Sequence, residues 1–322
     1  MSAPNLPWRD GTPTALKVYG QTLIEVARER PDVVCLGADL SGPTETDLFH
    51  DALPERFFNI GMAEANLIGV AAGMALSGDT PFVNTFGVFA TRRPFDQIAM
   101  QVDYPRANVK IVGHMPGLTS PGGVTHQATE DVALMRSLPN MVVVEAADAT
   151  ELRQAVRAVA DHDGPVYLRV KRGESPVIFG EDHTFRLGRA QLVREGDDGV
   201  IFASGLMVSL ALEAADELVA RGREVSVANV HTIKPLDTAF VIEHARRTGV
   251  VITAENHTIV GGLGSAVAET LLEAGVSVAF RRVGVRDTWA EGASARFLFK
   301  KYGLSADAIV EAFDQAYAAR ER

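Results

Sequence analysis

Short, β-branched apolar runs alternate with segments of helical period along almost the whole chain, and that alternation leaves few folds open. Val33-Val34-Cys35-Leu36, Pro81-Phe82-Val83, Val109-Lys110-Ile111-Val112, Met141-Val142-Val143-Val144 and Val166-Tyr167-Leu168-Arg169-Val170 read as strands buried on both faces. Residues 13–30, 62–77, 91–103 and 148–161 carry the helical pattern between them. Repetition of strand, helix and strand builds a largely parallel sheet covered by helices on both sides. The rhythm breaks from Gly173 to Gly199, where glycines, Pro176 and charged clusters interrupt it. It resumes with strands at 200–203, 225–228, 250–253 and 276–280, and helices near 207–221, 238–247, 264–274 and 305–320. The expectation is an α/β protein of two doubly wound domains with mostly parallel sheets. Residues 1–180 form the first, 181–198 a linker and 199–322 the second.

Composition narrows the class. A chain of 322 residues, 47% hydrophobic and 22% charged, is expected to be soluble and globular. Its apolar runs are too short to span a membrane. The first ten residues, with Pro4, Pro7, Arg9 and Asp10, show no signal-peptide core, so a cytoplasmic location is the default expectation. A net charge of −10 argues against nucleic acid as a partner. Cys35, alone in the chain, reads as a small core residue and not as a nucleophile.

Chemistry concentrates in loops that follow the first domain's strands, where open α/β sheets place their ligands. Glu64 stands in the first turn of an apolar, small-residue helix whose stripe is expected at 63, 67, 70, 71 and 74. Poor solvation there favours the protonated carboxyl, while the helix N-terminus favours the ionised one, a balance suited to sharing a proton with a bound base. The plain alternative is a glutamate that only complements the helix dipole. His114 and His126 flank a glycine-rich loop that has little need of histidine for packing.

Taken in order, Gly-Met-Ala-Glu-Ala at 61–65, Thr-His-Gln at 125–127, Leu-Pro-Asn-Met at 138–141 and Ile-Lys-Pro-Leu-Asp at 233–237 resemble the transketolase family and the matching part of 1-deoxyxylulose-5-phosphate synthases. The likeness runs from about residue 12 to the end and implies a thiamine diphosphate pyrimidine-binding domain followed by the family's C-terminal domain. It implies that Glu64 exchanges a proton with the cofactor's aminopyrimidine, that Phe86 and Phe89 stack on that ring, and that Asp39 approaches the thiazolium side. Arg92 or Arg93 matches an arginine that follows the aromatic pair, with Arg92 assigned to the cofactor. His114 and His126 match histidines lining a substrate channel, and Arg172 matches an arginine that binds a sugar phosphate. The plain alternatives for these residues are core phenylalanines at Phe86 and Phe89, a turn-forming Asp39 and a solvated basic cluster around Arg172.

Three departures stand out. Gly122 replaces an aspartate that reads a substrate hydroxyl, and Pro43 replaces a serine that helps hold phosphate. The family's Mg²⁺ site, a Gly-Asp-Gly motif with a later asparagine, has only Gly196-Asp197-Asp198-Gly199 as a distant echo. The implied protein is therefore the smaller subunit of a split transketolase, moving a two-carbon ketol unit between phosphorylated sugars. A diphosphate-binding subunit would bring Mg²⁺, in an α₂β₂ assembly; this chain itself carries no metal ligands. The beta subunit of a 2-oxoacid dehydrogenase and a split deoxyxylulose phosphate synthase are the enzyme alternatives. A nucleotide site at Gly261-Gly262-Leu263-Gly264-Ser265 is the non-enzyme one.

Overall fold

The computed structural model describes residues 11–320; the first ten residues, read above for a leader, lie outside the described residues. In chain order the strands are β1 (Thr14–Ala15), β2 (Val33–Gly37), β3 (Phe57–Asn59), β4 (Thr80–Phe86), β5 (Lys110–His114), β6 (Val142–Glu145) and β7 (Val166–Val170). They continue with β8 (Ser175–Pro176), β9 (Gln191–Arg194), β10 (Gly199–Ala203), β11 (Val225–Asn229), β12 (Thr232–Lys234), β13 (Val250–Thr258) and β14 (Ala279–Val285). One sheet has the order β12-β6-β7-β5-β4-β2-β3, parallel except for β12. The other has the order β14-β13-β10-β11-β9, parallel except for β9. Both are α/β layers of the expected doubly wound kind.

The pleat explains why both faces are apolar. Phe82, Val112, Val144 and Leu168 point to the face covered by helices Val18–Glu29 and Ala149–Asp161. Their neighbours Val83, Ile111, Val143 and Tyr167 point to the other, under helix Glu64–Leu76. In the second sheet Ile201, Val227 and Ile252 pack with helices Met207–Ala220 and Ala306–Arg320, while Val200, Phe202 and Val251 pack with Thr238–Thr248 and Leu263–Glu273.

The two halves are knitted by polar groups. Strand β12 leaves the second half to extend the first sheet, with Thr232 opposite Val144. Arg169, fully buried, donates to Asp131 at 2.9 Å and pairs with Glu145 at 2.8 Å, and Glu145 also accepts from the Ser204 hydroxyl. Removing one member would strand a buried charge. Asn256, on β13, holds the loop after β5 through Pro116 O and Leu118 N.

Several elements differ from the sequence reading. Strand β4 runs through Asn84, Thr85 and Phe86, which the pattern placed in a loop, and β5 runs on to His114. Strand β14 starts at Ala279, three residues later than the apolar run at 276. The single helix expected at 91–103 is three short pieces, Gly87–Arg92, Phe95–Gln97 and a wide turn Ile98–Asp103, interrupted at Pro94, which has no N–H to donate. The 181–198 stretch contains β9, an edge strand of the second sheet.

Candidate active site

Parallel strands β2, β4 and β5 all end at one edge of the first sheet, and the residues that follow them face the same region. Helix Glu64–Leu76 begins beside that edge, entered through Gly61, whose φ of 86° suits glycine. Its buried stripe is Glu64, Leu67, Ile68, Ala71 and Ala72, not the 63/67/70/71/74 set. Ala63 is exposed because it is the cap residue with non-helical φ and ψ, which leaves Glu64 as the first residue turned inward. Glu64 is only 5% exposed.

The Arg93 guanidinium donates to Glu64 Oε1 at 2.6 Å and lies 4.2 Å from the centre of the Phe89 ring. Phe89 stacks on Phe86 at 5.9 Å with 22° between planes, and the His126 ring meets both edge-on, at 5.3 and 6.3 Å. Glu64, Arg93, Phe89, Phe86 and His126 thus form one continuous patch. Of the two arginines whose register was open, Arg93 is the one that reaches Glu64. Arg92, assigned to the cofactor from sequence, instead pairs with Glu130 and donates to the carbonyls of Val124 and Gln127, while its cation lies 5.4 Å from the Trp289 ring. The Arg-Arg pair was visible in the sequence; which one faced inward depended on the short helix Gly87–Arg92.

Asp39 follows β2 with a left-handed φ of 56° and accepts from Asn59 Nδ2 at 2.6 Å, so the carboxylate is exposed but fixed. Asn59 was not singled out from sequence. His114 departs from the channel-wall expectation. It is fully enclosed, opposite Phe86 in the β4–β5 register, edge-on to Tyr19 and 3.4 Å from Asn84 Oδ1. Burial, then the nearby Arg172 charge, pushes its pKa down to about 3. Unfolded, the ring titrates near 6.5, so the folded form loses stability relative to the unfolded one as pH falls through 6.5 toward 3. His114→Asn should flatten that acid-side loss, read as the difference in urea-unfolding free energy between pH 7 and pH 4. Equal slopes in both proteins would remove His114 from the acid response.

Arg172 is exposed beyond the end of β7, and its guanidinium has no hydrogen-bond or ion-pair partner among the described residues. Gly122 is more than a missing aspartate: a Cβ there would lie 2.8 Å from His126 Cβ, so the glycine lets the imidazole fold against the loop. The second domain also shapes this loop. Gln127 Nε2 donates to Glu291 O at 3.1 Å, and a Cβ on Gly123 would meet Gly292 N at 3.2 Å. No local sequence pattern announces that contact, because it is made across some 165 residues.

The remaining motifs are structural. Asp198 accepts from Glu224 N, and Asp197 lies near Arg247, which makes 196–199 a turn into β10. At 261–265 the helix N-terminus is already occupied, since Glu255 accepts from Leu263 N at 2.7 Å and Gly264 N at 2.9 Å. That internal cap overturns the nucleotide reading. Cys35 is fully buried among apolar side chains, as a core residue should be. Among the described residues, no helix is long and apolar enough to cross a membrane, and no three His, Cys, Asp or Glu side chains converge as a metal site.

Residues 12–177 match the family described as "Transketolase, pyrimidine binding domain", and residues 188–309 match "Transketolase, C-terminal domain". The chain belongs to the transketolase family. Among its relatives is the 6-deoxy-6-sulfo-D-fructose transketolase subunit SqwH of Clostridium sp. (strain MSTE9), 46% identical over 91% of this chain and 91% of that one. The solved structure described as "Split gene transketolase, inactive beta4 tetramer" superposes with a TM-score of 0.88 at 45% identity, covering 94% of this chain and 98% of the other. The 1-deoxy-D-xylulose-5-phosphate synthase of Heliobacterium modesticaldum is 36% identical over 93% of this chain but only 46% of its own length. This transketolase-family chain thus carries the pyrimidine-binding and C-terminal domains, the part that some relatives make as a separate subunit. The pyrimidine-binding domain implies thiamine diphosphate as the cofactor.

Proposed function

We propose that this chain is the pyrimidine-binding subunit of a split transketolase that transfers a two-carbon ketol unit between sugars with an anionic terminus, phosphorylated sugars foremost. The observation that carries the reading is the patch joining a buried glutamate to an aromatic face. The Arg93 guanidinium, a flat group rich in N–H donors, stacks on Phe89 while donating to Glu64. A flat nitrogen heterocycle needs those same two contacts, so the residues fit an aminopyrimidine. Thiamine diphosphate, when bound, supplies the carbon nucleophile that ketol transfer requires.

The chain's own residues do the rest. Glu64 holds or releases a proton on its carboxyl oxygens toward a ring nitrogen. Phe86 and Phe89 orient the ring, and His126, in edge contact with both, donates to the oxygen of a sugar carbonyl. His114, enclosed and neutral, acts on the site by fixing Asn84 and the end of β4, not by touching sugar. Arg172 binds the anionic terminus. A phosphate and a sulfonate present similar oxygens to a guanidinium, and the Clostridium relative is named for a sulfo-sugar. Outside the site, Met62 (80% exposed), Leu76 (73%), Met100 (56%) and Tyr104 (77%) leave apolar surface at the ends of helix Glu64–Leu76 and on the turn packed against it, as an assembling subunit would.

Arg172→Ala should weaken phosphorylated substrates roughly tenfold to more than a hundredfold in kcat/KM and leave short unphosphorylated donors nearly unchanged. Comparing a phosphorylated and a sulfonated acceptor on the wild-type complex then identifies the preferred anion. Equal loss for charged and uncharged substrates would make Arg172 structural. The likeness to the synthase supports a second reading, with pyruvate as donor; release of carbon dioxide from pyruvate by the complex would favour it.

Arg93 must leave Phe89 and Glu64 for a heterocycle to take its place. A half-exposed ion pair and a cation–π contact are each worth up to about 1 kcal/mol. Arg93→Ala should therefore tighten thiamine diphosphate binding to the assembled enzyme roughly fivefold to thirtyfold, measured by calorimetry. Weaker binding would show that Arg93 itself grips the cofactor.

A further inference from the structure

We infer that the second domain carries a binding site for a small polyanion bearing two or more phosphoryl groups, at the edge of its sheet where β13 and β14 begin. An open cleft of about 800 Å³ there is lined by Arg246, Arg247, Arg281 and Arg320, with Thr248 and Ser277 beside them and, among the described residues, no carboxylate in its walls. In a chain with 41 acidic against 31 basic residues, four guanidiniums around one concavity is a local reversal of charge. The cleft's volume is in the range of small-molecule sites.

The four side chains come from three elements. Arg246 and Arg247 stand in the last turn of helix Thr238–Thr248, Arg320 ends helix Ala306–Arg320, and Arg281 projects from β14. Cations at helix C-termini complement the backbone dipole, which accounts for three of them. Arg281, on a strand, caps nothing. Among the described residues, Arg246, Arg281 and Arg320 have no carboxylate within ion-pair distance. Each donates to a single main-chain carbonyl: Ala274 at 3.4 Å, Phe280 at 2.9 Å and Thr248 at 3.1 Å respectively. Arg247 is better satisfied, by the Ser226 hydroxyl at 2.8 Å and by Asp197 at 3.9 Å. A guanidinium has five N–H donors, so most of those on three of these arginines remain free. Like charges gathered with only Asp197 as counter-charge, at 3.9 Å from Arg247, repel one another, and an anion that bridges them removes the repulsion while filling the donors. Arginine's planar fork suits phosphoryl oxygens.

Isothermal titration of the full chain with inorganic tripolyphosphate at low ionic strength tests the site. Saturable binding that weakens as salt rises is expected, with Arg246→Ser and Arg281→Ser each lowering affinity roughly tenfold or more and Arg153→Ser, an exposed arginine on helix Ala149–Asp161, leaving it unchanged. Adenosine triphosphate binding as tightly as tripolyphosphate would identify the phosphoryl chain as the recognised part; tighter binding would identify an organic polyphosphate. Absence of binding, or unaltered affinity in the Arg246→Ser/Arg281→Ser double variant, overturns the inference. Should the variants misfold, tripolyphosphate should shield Arg246 and Arg281 of the wild-type chain from phenylglyoxal, read by mass spectrometry. Equal labelling with and without it would overturn the site as well.

Discussion

Glu64→Gln should lower turnover of the assembled enzyme roughly a hundredfold or more, the scale of a lost acid–base group. Glutamine is isosteric and its carbonyl oxygen still accepts from Arg93, so the 2.6 Å contact and the start of helix Glu64–Leu76 have no reason to change. What glutamine cannot do is take up and return a proton. The carboxyl is almost wholly enclosed, at 5% exposure, so solvent cannot stand in for it. The loss should fall on kcat, with the melting temperature near that of the wild type. Turnover within a few-fold of wild type, in a complex free of host transketolase, would sink the assignment of Glu64. A large drop in melting temperature would instead mark it as a structural residue.

The sequence was most informative where backbone periodicity and side-chain chemistry coincide. Val166–Val170 has the same bounds in the structure as in the pattern, because Val166, Tyr167, Leu168 and Val170 suit a strand buried on both faces and the one charge, Arg169, is satisfied by buried carboxylates. Glu64, Phe86, Phe89 and His126 were each singled out, and they do lie together. Three kinds of feature were not legible. Edge strands such as Phe57–Asn59 and Thr232–Lys234 are too short to show a period, and β12 pairs with a sheet almost ninety residues away in sequence. The end of a strand is set by its neighbour's hydrogen bonds more than by its own residues, so β5 swallowed His114 and turned an expected channel residue into a buried one. Helical phase is decided at the cap, where one residue's backbone angles rotate every side chain that follows. That is why the buried stripe moved from Ala63 to Glu64 and why Arg93, not Arg92, faces the glutamate.

The chain by itself should show no ketol transfer and bind thiamine diphosphate poorly, and a diphosphate-binding partner should restore both. Its residues account for the pyrimidine end of the cofactor only. A diphosphate carries several negative charges and needs a metal or a cationic cradle beside the pyrimidine-binding patch, and no three His, Cys, Asp or Glu side chains converge as a metal site among the described residues. The Mg²⁺ motif of the family has no counterpart in this sequence, and the nearest string, 196–199, is committed to a turn. The exposed apolar surface at helix Glu64–Leu76 lies on the same element as Glu64, so a subunit covering it would also close the site against water. Symmetric closure makes an even-numbered α₂β₂ assembly the expected active form. Mixing this chain with a separately purified diphosphate-binding subunit, thiamine diphosphate and Mg²⁺ should yield ketol transfer that neither chain shows alone, together with a heterotetramer mass by light scattering. Ketol transfer by this chain alone would show that it holds a complete cofactor site, and the split-enzyme reading would fail.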